Sequence, residues 1–445
     1  MTAASEAPCA PTPREAFRYW LRLGFISFGG PAGQIAIMHR DLVDDRRWIS
    51  ERRFLHALNY CMLLPGPEAQ QLATYIGWLL HRTWGGVIAG VLFVAPSLAI
   101  LIALSWFYVE YGDVPIVAAA FRGVQPVVVA IVLHAAWRIG RRTLHHPLLW
   151  GIAAAAFLAL FAFGVPFPVI VLAAALIGAF GGRLLPAAFV PPARHGSATG
   201  HHAPSVIDDA TPAPPHALYS PRRMFVVVAT GIALGLLAWA LVAVGSGSDG
   251  VLARMGIFFT KAALLTFGGA YAVLPYVNQA VVQTYGWLTA EQMIDGLTLG
   301  ETTPGPLIMI VAYVGFVGAW STAALGPHAQ MLAGIAGACV ATFFTFLPSF
   351  VFILAGGPLV ESTRDSLRYT APLAGVSAAV VGVIVNLALF FATHAFAGPA
   401  GIDVVAIVVA MGAAFALLRL EVGVIPLIGA GALVGIATFA VRGAA

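Results

Sequence analysis

Long uninterrupted apolar runs constrain this chain more than any other feature. Three of them, residues 87–104, 224–244 and 402–418, each approach the roughly 17–25 residues that span a bilayer as a helix. Hydrophobic residues make up 60% of the 445 residues and charged residues only 9%, whereas a soluble domain is about one quarter charged. In lipid the backbone must satisfy its own hydrogen bonds, and a helix does this. The sequence therefore predicts an all-α integral membrane protein rather than a soluble enzyme.

Charge and cysteine content exclude several other classes. The net charge of +4 is small, and arginines between apolar runs are usual for an inserted membrane protein, so we expect no nucleic-acid partner. The cysteines, Cys9, Cys61 and Cys339, lie far apart without metal-binding or redox spacing. Residues 1–16 lack an apolar core, so no cleavable signal peptide is expected there. We predict no metal site and no cofactor.

Two related halves are visible when the sequence is compared with itself. A shift of 239 residues places Phe28-Gly29-Gly30 on Phe267-Gly268-Gly269, and Pro65-Gly66-Pro67 on Pro304-Gly305-Pro306. A shift of 252 residues continues the match and places Gly123 on Gly375. Two separate glycine and proline motifs rarely share one register by chance. We therefore predict an N-terminal membrane repeat (1–187) and a C-terminal repeat (223–445) that begins with one extra helix.

Residues 188–222 separate the two repeats. Seven prolines lie in this stretch among serines, glycines and histidines, and this composition is typical of a disordered linker. Metal binding by its histidines is an alternative, but a solvated cytoplasmic tether is the better interpretation. These histidines are His195, His201, His202 and His216.

The two repeats are predicted to have opposite orientations. Five apolar crossings separate the two Phe-Gly-Gly motifs, and an odd number inverts the second copy; they are residues 85–109, 114–139, 148–165, 167–185 and 224–244. Four more follow, at 331–355, 372–392, 402–418 and 422–441. With a cytoplasmic N-terminus and re-entrant motif segments, the loop arginines face the cytoplasm, as the positive-inside rule requires. These are Arg40, Arg46, Arg47, Arg52, Arg53, Arg138, Arg141, Arg142, Arg183, Arg222, Arg223, Arg364 and Arg368. The C-terminus then lies outside.

Each repeat contains two predicted helix breaks. They are Phe28-Gly29-Gly30-Pro31 and Leu64-Pro65-Gly66-Pro67, with their counterparts Phe267-Gly268-Gly269 and Thr303-Pro304-Gly305-Pro306. Proline removes an N–H donor and glycine relaxes the backbone, so each motif should interrupt a helix. A half-helix that starts after a break directs N–H groups and a positive dipole end into the cavity, which suits an anion. A simple packing kink is the alternative, but four symmetric breaks in inverted repeats are typical of a secondary transporter's substrate site.

Two cations occupy equivalent positions in the repeats. Arg22 and Lys261 each lie six residues before a Phe-Gly-Gly motif, in apolar surroundings. A cation inside the membrane costs at least about 2.5–3.5 kcal/mol unless it faces a cavity or a partner. If symmetry brings them together, they would neutralise a dianion. The alternative is snorkelling to the membrane surface, above all for Arg22, which follows Arg14 and Arg18.

Two carboxylates lie beside the breaks. Glu68 follows Pro67, and Glu301 precedes Pro304 by three residues. Such groups in an apolar setting can carry protons, although capping of the next half-helix is an alternative role. Further polar candidates near the breaks are Asn59, Gln70, Gln71, Tyr75, Thr302 and Thr303. His134 and Asn386 are repeat equivalents that we interpret as hydrogen-bonding groups between helices.

These motifs resemble signatures of the chromate ion transporter family, in its long form with two repeats. The matching stretches are Phe25-Ile26-Ser27-Phe28-Gly29-Gly30-Pro31, residues 64–77, and residues 301–308, which begin Glu301-Thr302-Thr303-Pro304-Gly305-Pro306. The resemblance spans nearly the whole chain except the tail and the linker. It implies a bacterial inner-membrane protein that exports chromate with the proton-motive force and confers chromate resistance. In such a membrane, the C-terminus that the topology places outside would be periplasmic. Two positions depart from the pattern: Ala270 stands where the first repeat has Pro31, and Gln34 where a histidine is expected.

The predicted mechanism is alternating access. A tetrahedral oxyanion binds between the breaks, held by backbone N–H groups with Arg22 and Lys261, and a proton crosses in exchange on Glu68 or Glu301. Sulfate or another oxyanion is an alternative substrate, and an anion channel is an alternative mechanism. A membrane-embedded reductase is disfavoured because no cofactor motif or cysteine pair supports it. The oligomeric state stays open, with a homodimer as one option.

Overall fold

The structure, a computed structural model, describes residues 8–28, 30–189, 204–209, 211–212, 214–267, 269–362, 370–398 and 401–443. Its N-terminal half is helical. The elements are α1 (Pro13–Ile26), α2 (Gly30–His39), a π-helical continuation (Arg40–Asp45), α3 (Glu51–Leu63), α4 (Glu68–Tyr111), α5 (Pro115–Thr143), α6 (Pro147–Phe163), α7 (Phe167–Leu184) and α8 (Pro186–Phe189). Non-helical backbone angles at His81 and Arg82 divide α4 into two parts.

The C-terminal half repeats this plan after a 3₁₀ turn (Pro215–Ala217) and an additional helix. Its elements are α9 (Pro221–Ser246), α10 (Val251–Leu264), α11 (Ala270–Asn278), a π-helical segment (Gln279–Thr284), α12 (Ala290–Thr302), a 3₁₀ turn (Leu307–Met309), α13 (Ile310–Ser321), α14 (Gln330–Ser362), α15 (Thr370–Ala395), α16 (Val404–Arg419) and α17 (Val424–Gly443). A two-residue antiparallel ladder, β1 (Ala397–Gly398) with β2 (Gly401–Ile402), lies between α15 and α16.

Seven of the described helices are long and apolar enough to cross a membrane, namely α4, α5, α7, α9, α14, α15 and α17. The predicted crossings α6 and α16 have 17 and 16 residues, which is near the lower limit for a span. Only Gly231 is buried in α9, as expected of a helix that faces lipid on most sides. The prediction of an all-α membrane protein is confirmed.

The repeat is visible in the bounds of the elements. The 239-residue shift carries α3 onto α12 and the first π-helical segment onto the second. After each π-helical segment, the main-chain N–H of a tryptophan donates to the carbonyl six residues earlier. These bonds join Trp48 to Leu42 and Trp287 to Val281, both at 2.8 Å. The predicted inversion of the second repeat stays a prediction.

The two halves interlock through their long helices. α5 packs against α16 and α17, while α15 packs against α6 and α7. Glycines permit these approaches: a Cβ added to Gly123 would lie 2.5 Å from Cα of Gly435, and one added to Gly375 would lie 3.1 Å from Cα of Gly178. Gly123 and Gly375 are repeat equivalents, and each contacts a glycine in the last long helix of the other half, Gly435 in α17 and Gly178 in α7. Such an exchange is what a two-fold relation between the halves produces.

Several arginines predicted in loops lie on helices instead. Arg138, Arg141 and Arg142 belong to the last turns of α5, and Arg53 lies in α3. Positive side chains interact favourably with the negative, C-terminal end of the helix dipole. These arginines therefore stabilise the last turns of α5, beyond its apolar run. Arg364 and Arg368 lie outside the described residues.

The described part of the linker packs on the N-terminal repeat, which corrects the prediction of a disordered tether for these residues. Ile207 is buried and forms a bridge with Ile49. The Ser50 hydroxyl donates to Asp209 at 2.6 Å, and His216 Nε2 lies 2.9 Å from the Trp78 carbonyl oxygen. One apolar anchor and several hydrogen bonds hold this part in place. His195, His201 and His202 lie outside the described residues.

Candidate functional site

The four predicted breaks meet in two pairs. The N–H of Gly66 donates to the carbonyl of Thr266 at 2.7 Å, and the N–H of Gly305 donates to the carbonyl of Ser27 at 2.8 Å. Ser27 and Thr266 are repeat equivalents, as are Gly66 and Gly305, so the first break of each half bonds to the second break of the other. These two amides were predicted to bind the anion directly. In this conformation they bind main-chain carbonyl groups instead.

Local chemistry explains why the helices end here. The Ser27 hydroxyl donates to the Leu23 carbonyl at 2.5 Å, and the Thr266 hydroxyl donates to the Ala262 carbonyl at 2.7 Å. α1 and α10 therefore end with equivalent hydrogen bonds from a side-chain hydroxyl to a main-chain carbonyl. The chain then turns at glycines with φ in the left-handed region, which residues with a Cβ rarely adopt. These are Gly30 (69°), Gly66 (126°), Gly269 (97°) and Gly305 (110°). Gly29 and Gly268 lie outside the described residues.

Gln34, which stands where the family resemblance implies a histidine, joins two of the breaks. It is fully buried, and its Nε2 donates to the carbonyl oxygens of Gly305 at 2.5 Å and Ser27 at 3.2 Å. Its Oε1 has no partner among the described residues. Gln34 therefore connects, by hydrogen bonds, the first break of the N-terminal repeat to the second break of the C-terminal repeat.

Most of the other polar candidates bind the main chain near the breaks. Gln71 Nε2 donates to the Pro65 carbonyl at 2.8 Å, while Gln70 donates to Thr74 at 3.1 Å on the same helix. The hydroxyls of Thr302 and Thr303 bond to carbonyls of the preceding turn of α12. Pro67, Pro304 and Pro306 are buried beside them. These groups stabilise the helix ends rather than line a cavity.

Two predicted residues lie elsewhere. Asn59 is exposed on α3. Tyr75 donates to Glu361 on α14 at 2.6 Å, and Glu361 also pairs with Arg53 at 3.8 Å. Tyr75 therefore belongs to a buried cluster that connects α3, α4 and α14, and the breaks do not include it.

Two cavities of about 580 Å³ each flank the breaks. The first, here named the Glu301 cavity, is lined by Glu301, Tyr271, His134, Arg138, Phe28 and Gly30, together with residues of α16 and α17. The second, here named the Glu68 cavity, is lined by Glu68, Arg142, Arg138, Tyr271, Pro31 and Gly269, together with residues of α3 and α15. Arg138 and Tyr271 line both cavities, so they lie between the two spaces. The Tyr271 hydroxyl donates to the Glu301 carboxylate.

The positive charge in these cavities comes from α5. Arg138 interacts electrostatically with Glu301, and Arg142 interacts with Glu68. Both arginines were assigned to a cytoplasmic loop at the end of the predicted crossing 114–139, so they were not considered as site residues. A usable signal was present: His134, Arg138 and Arg142 are four residues apart and therefore share one face of a helix. His134 stacks on Trp137, with ring centroids 5.8 Å apart.

Arg22 and Lys261 are not among the described residues that line either cavity. Both are exposed, Arg22 on α1 and Lys261 on α10. Phe267, which belongs to the first break of the C-terminal repeat, packs against the apolar core. The predicted cation pair therefore does not form part of the two cavities in this conformation.

Asp295 forms a further buried polar cluster that the sequence did not predict. Its carboxylate accepts hydrogen bonds from Tyr108 at 2.9 Å and from Gln125 at 3.1 Å. These bonds tie α12 to α4 and α5. A carboxylate in the middle of a helix between two break motifs was the available signal.

Comparison with known proteins gives consistent matches along the chain. Residues 14–179 and 253–436 match the family model described as "Chromate transporter". The chain is 30% identical to the chromate transport protein of Cupriavidus metallidurans, over 98% of this chain and 96% of that one. It is 34% identical to the chromate transport protein of Pseudomonas aeruginosa, over 83% and 78%, and 28% identical to a probable chromate transport protein of Synechococcus elongatus, over 82% and 81%. No solved structure matches the chain.

Proposed function

The chain belongs to the chromate transporter family, and we propose that it exports chromate across a bacterial inner membrane and thereby confers chromate resistance. Export is driven by the proton-motive force, with a proton moving inward in exchange. The observation that carries this proposal is the reciprocal pairing of the four breaks beside two cavities. Arg138 lines both cavities, with Glu68 in one and Glu301 and Glu421 in the other.

Arg138 supplies the charge that attracts the oxyanion. Its guanidinium lines both cavities, and a guanidinium matches the spacing of two oxygens on a tetrahedral anion. Arg142 adds a second positive charge at the Glu68 cavity. The Gly66 and Gly305 amides become available to the anion if their bonds to the opposite repeat open, and movement of one repeat against the other would open them. Arg22 and Lys261, the cations predicted from the repeat, lie outside both cavities in this conformation.

Glu301 and Glu68 carry the returning proton. Each lines a cavity with an arginine, so its charge state is linked to whether an anion occupies that arginine. Outward movement of a dianion is favoured by an inside-negative membrane potential, and an inward proton adds the pH gradient as a second driving force. Both components of the proton-motive force then favour export.

Inverted membrane vesicles test this function. Vesicles from cells that produce the protein are energised with a proton gradient and supplied with chromate, with and without excess sulfate. We expect chromate accumulation that an uncoupler abolishes and that sulfate reduces only slightly. Absence of accumulation contradicts export. If excess sulfate abolishes chromate accumulation, another oxyanion is the substrate. If the chromate concentration inside the vesicles never exceeds its electrochemical equilibrium value, the protein is a channel.

A further inference from the structure

A third cavity lies on the exposed side of α1, away from the breaks. It has a volume of about 340 Å³ and is lined by Thr12, Arg14, Glu15, Arg18, Tyr19, Arg22 and Arg46. None of these residues lines the Glu301 cavity or the Glu68 cavity. The proposed export mechanism gives this cavity no role.

Positive charge dominates this α1 cavity. Arg14, Arg18 and Arg22 are four residues apart and share one face of α1. Arg46 reaches the same space from the π-helical segment's C-terminal end, where its guanidinium lies 5.0 Å from the Tyr19 ring centroid and 5.1 Å from that of Trp48. Glu15 pairs with Arg46 at 3.6 Å and is the only carboxylate among the lining residues. Four guanidinium groups face one carboxylate, so the cavity favours an anion.

Tyr19 provides a second observation that points to a ligand. Its side chain lines the cavity and is 3% exposed, yet its hydroxyl has no hydrogen-bond partner among the described residues. Buried hydroxyl groups are normally paired, because an unpaired one loses its bonds to water without replacement. The hydroxyl oxygen lies beneath the cavity wall, so a movement of the Tyr19 side chain would let it donate to an anionic oxygen that lies among the four arginines.

The flanks of α1 place this cavity at a membrane surface. Phe17 and Phe25 are 44% and 51% exposed and lie beside the arginine stripe on the helix. A basic stripe next to exposed aromatic side chains is typical of a helix that lies in the interface between headgroups and acyl chains. Anionic headgroups are attracted to basic side chains at that depth.

We propose that the α1 cavity binds the phosphate group of an anionic phospholipid. The phosphate oxygens accept hydrogen bonds from the Tyr19 hydroxyl and the arginines, and the acyl chains lie along Phe17 and Phe25. Because α1 ends directly before the break at Ser27, the bound lipid holds the helix that leads into the transport site. A free oxyanion offers the same oxygen atoms, so the test must distinguish these two sources.

Lipid binding to the purified full-length protein in detergent tests this site. Native mass spectrometry gives the affinities for phosphatidylglycerol and phosphatidylcholine in the wild type, Arg18→Gln/Arg46→Gln, Tyr19→Phe, and the matched control Arg183→Gln/Arg222→Gln, whose arginines are exposed on α7 and α9. We expect the first variant to bind phosphatidylglycerol at least about tenfold more weakly, since it loses two charge-assisted contacts. Tyr19→Phe, which conserves the ring packing, should weaken binding about fivefold. The control should bind within about twofold of the wild type.

Two results would overturn the proposal. The first is unchanged phosphatidylglycerol binding by Arg18→Gln/Arg46→Gln and Tyr19→Phe. The second is displacement of phosphatidylglycerol by millimolar inorganic phosphate or chromate together with anion binding that these variants lose, because this assigns the cavity to a free oxyanion. Selective loss of phosphatidylglycerol binding, with inorganic phosphate unable to compete, supports the lipid.

Discussion

At the residue scale, the two cavities bring Glu68 and Glu301 together with arginines of α5. Glu68 and Glu301 line the cavities as their positions beside the breaks suggested. Arg22 and Lys261 occupy equivalent repeat positions, yet equivalence fixes only a place in each half and says nothing about the direction of a side chain. The 252-residue shift places Arg138 on Phe390 and Arg142 on His394, so the comparison of repeats showed no pair of arginines or lysines at these positions.

Substitution of Glu301 tests the proton step. Glu301→Gln keeps an oxygen that accepts the Tyr271 hydrogen bond but cannot bind and release a proton. We expect loss of uncoupler-sensitive chromate accumulation in vesicles, while chromate binding stays within about threefold of the wild type because one acceptor replaces another. Glu291→Gln, at an exposed position on the same helix, is the control and should accumulate chromate normally. Normal accumulation by Glu301→Gln would assign the proton to another group.

Lys261→Ala decides between the two sets of cations. Since Lys261 is exposed and lines neither cavity, its removal should lower the initial rate of chromate accumulation by less than about threefold, as is usual for an exposed charge. Loss of transport in a Lys261→Ala protein that still inserts would favour the cation pair predicted from the repeat.

At the element scale, the helix breaks were predictable and the helix contacts were not. Glycine and proline act locally, so the motifs at Gly66 and Gly305 could be located from the sequence alone. Which helices touch depends on the whole fold, and an apolar run has no preferred partner in its composition. The packing of α5 against α17 and of α15 against α7 therefore appears only in the structure.

A larger side chain at Gly123 should disturb this packing. A Cβ there would lie 2.5 Å from both the Cα and the N of Gly435, and overpacking of this kind typically costs about 1–3 kcal/mol. We expect Gly123→Val to lower the midpoint of thermal unfolding in detergent. Gly151→Ala in α6, where an added Cβ meets nothing within 4 Å, is the control and should keep or raise the midpoint. Equal midpoints for Gly123→Val and the wild type would contradict the close α5–α17 contact.

The docked linker should be released in acid through His216. Burial, with Arg82 and Arg223 nearby, lowers the pKa of His216 below its usual range, so the docked segment favours neutral histidine. Stability from this contact is complete above the usual pKa of about 6.5 and is lost as the pH falls through the lowered value. Limited proteolysis should therefore cut residues 204–217 faster at pH 5 than at pH 8. His216→Gln can still donate to the Trp78 carbonyl, and in this variant the pH dependence should disappear; if it persists, another group is responsible.

At the scale of the whole molecule, the two halves exchange equivalent contacts. The breaks pair across the halves, and so do the close glycine approaches of the long helices. The repeat register could be deduced from the sequence because the motifs are specific. The packing of the two halves against each other could not be deduced from the sequence. It depends on which helices of one half contact the long helix of the other half. The proposed alternating-access mechanism therefore predicts that contacts at both places change when one half moves against the other.

The most direct test of the proposed transport site is chromate accumulation in energised inverted vesicles by Arg138→Gln, compared with Arg122→Gln. Arg122 lies on the same helix at an exposed position, so it controls for loss of one positive charge from α5. Removal of a charge-assisted contact of about 1.5–3 kcal/mol should lower the rate at subsaturating chromate at least about tenfold for Arg138→Gln, and the control should keep at least half of the wild-type rate. Equal rates for the two variants, at equal amounts of inserted protein, would contradict a chromate site at Arg138 between the two cavities.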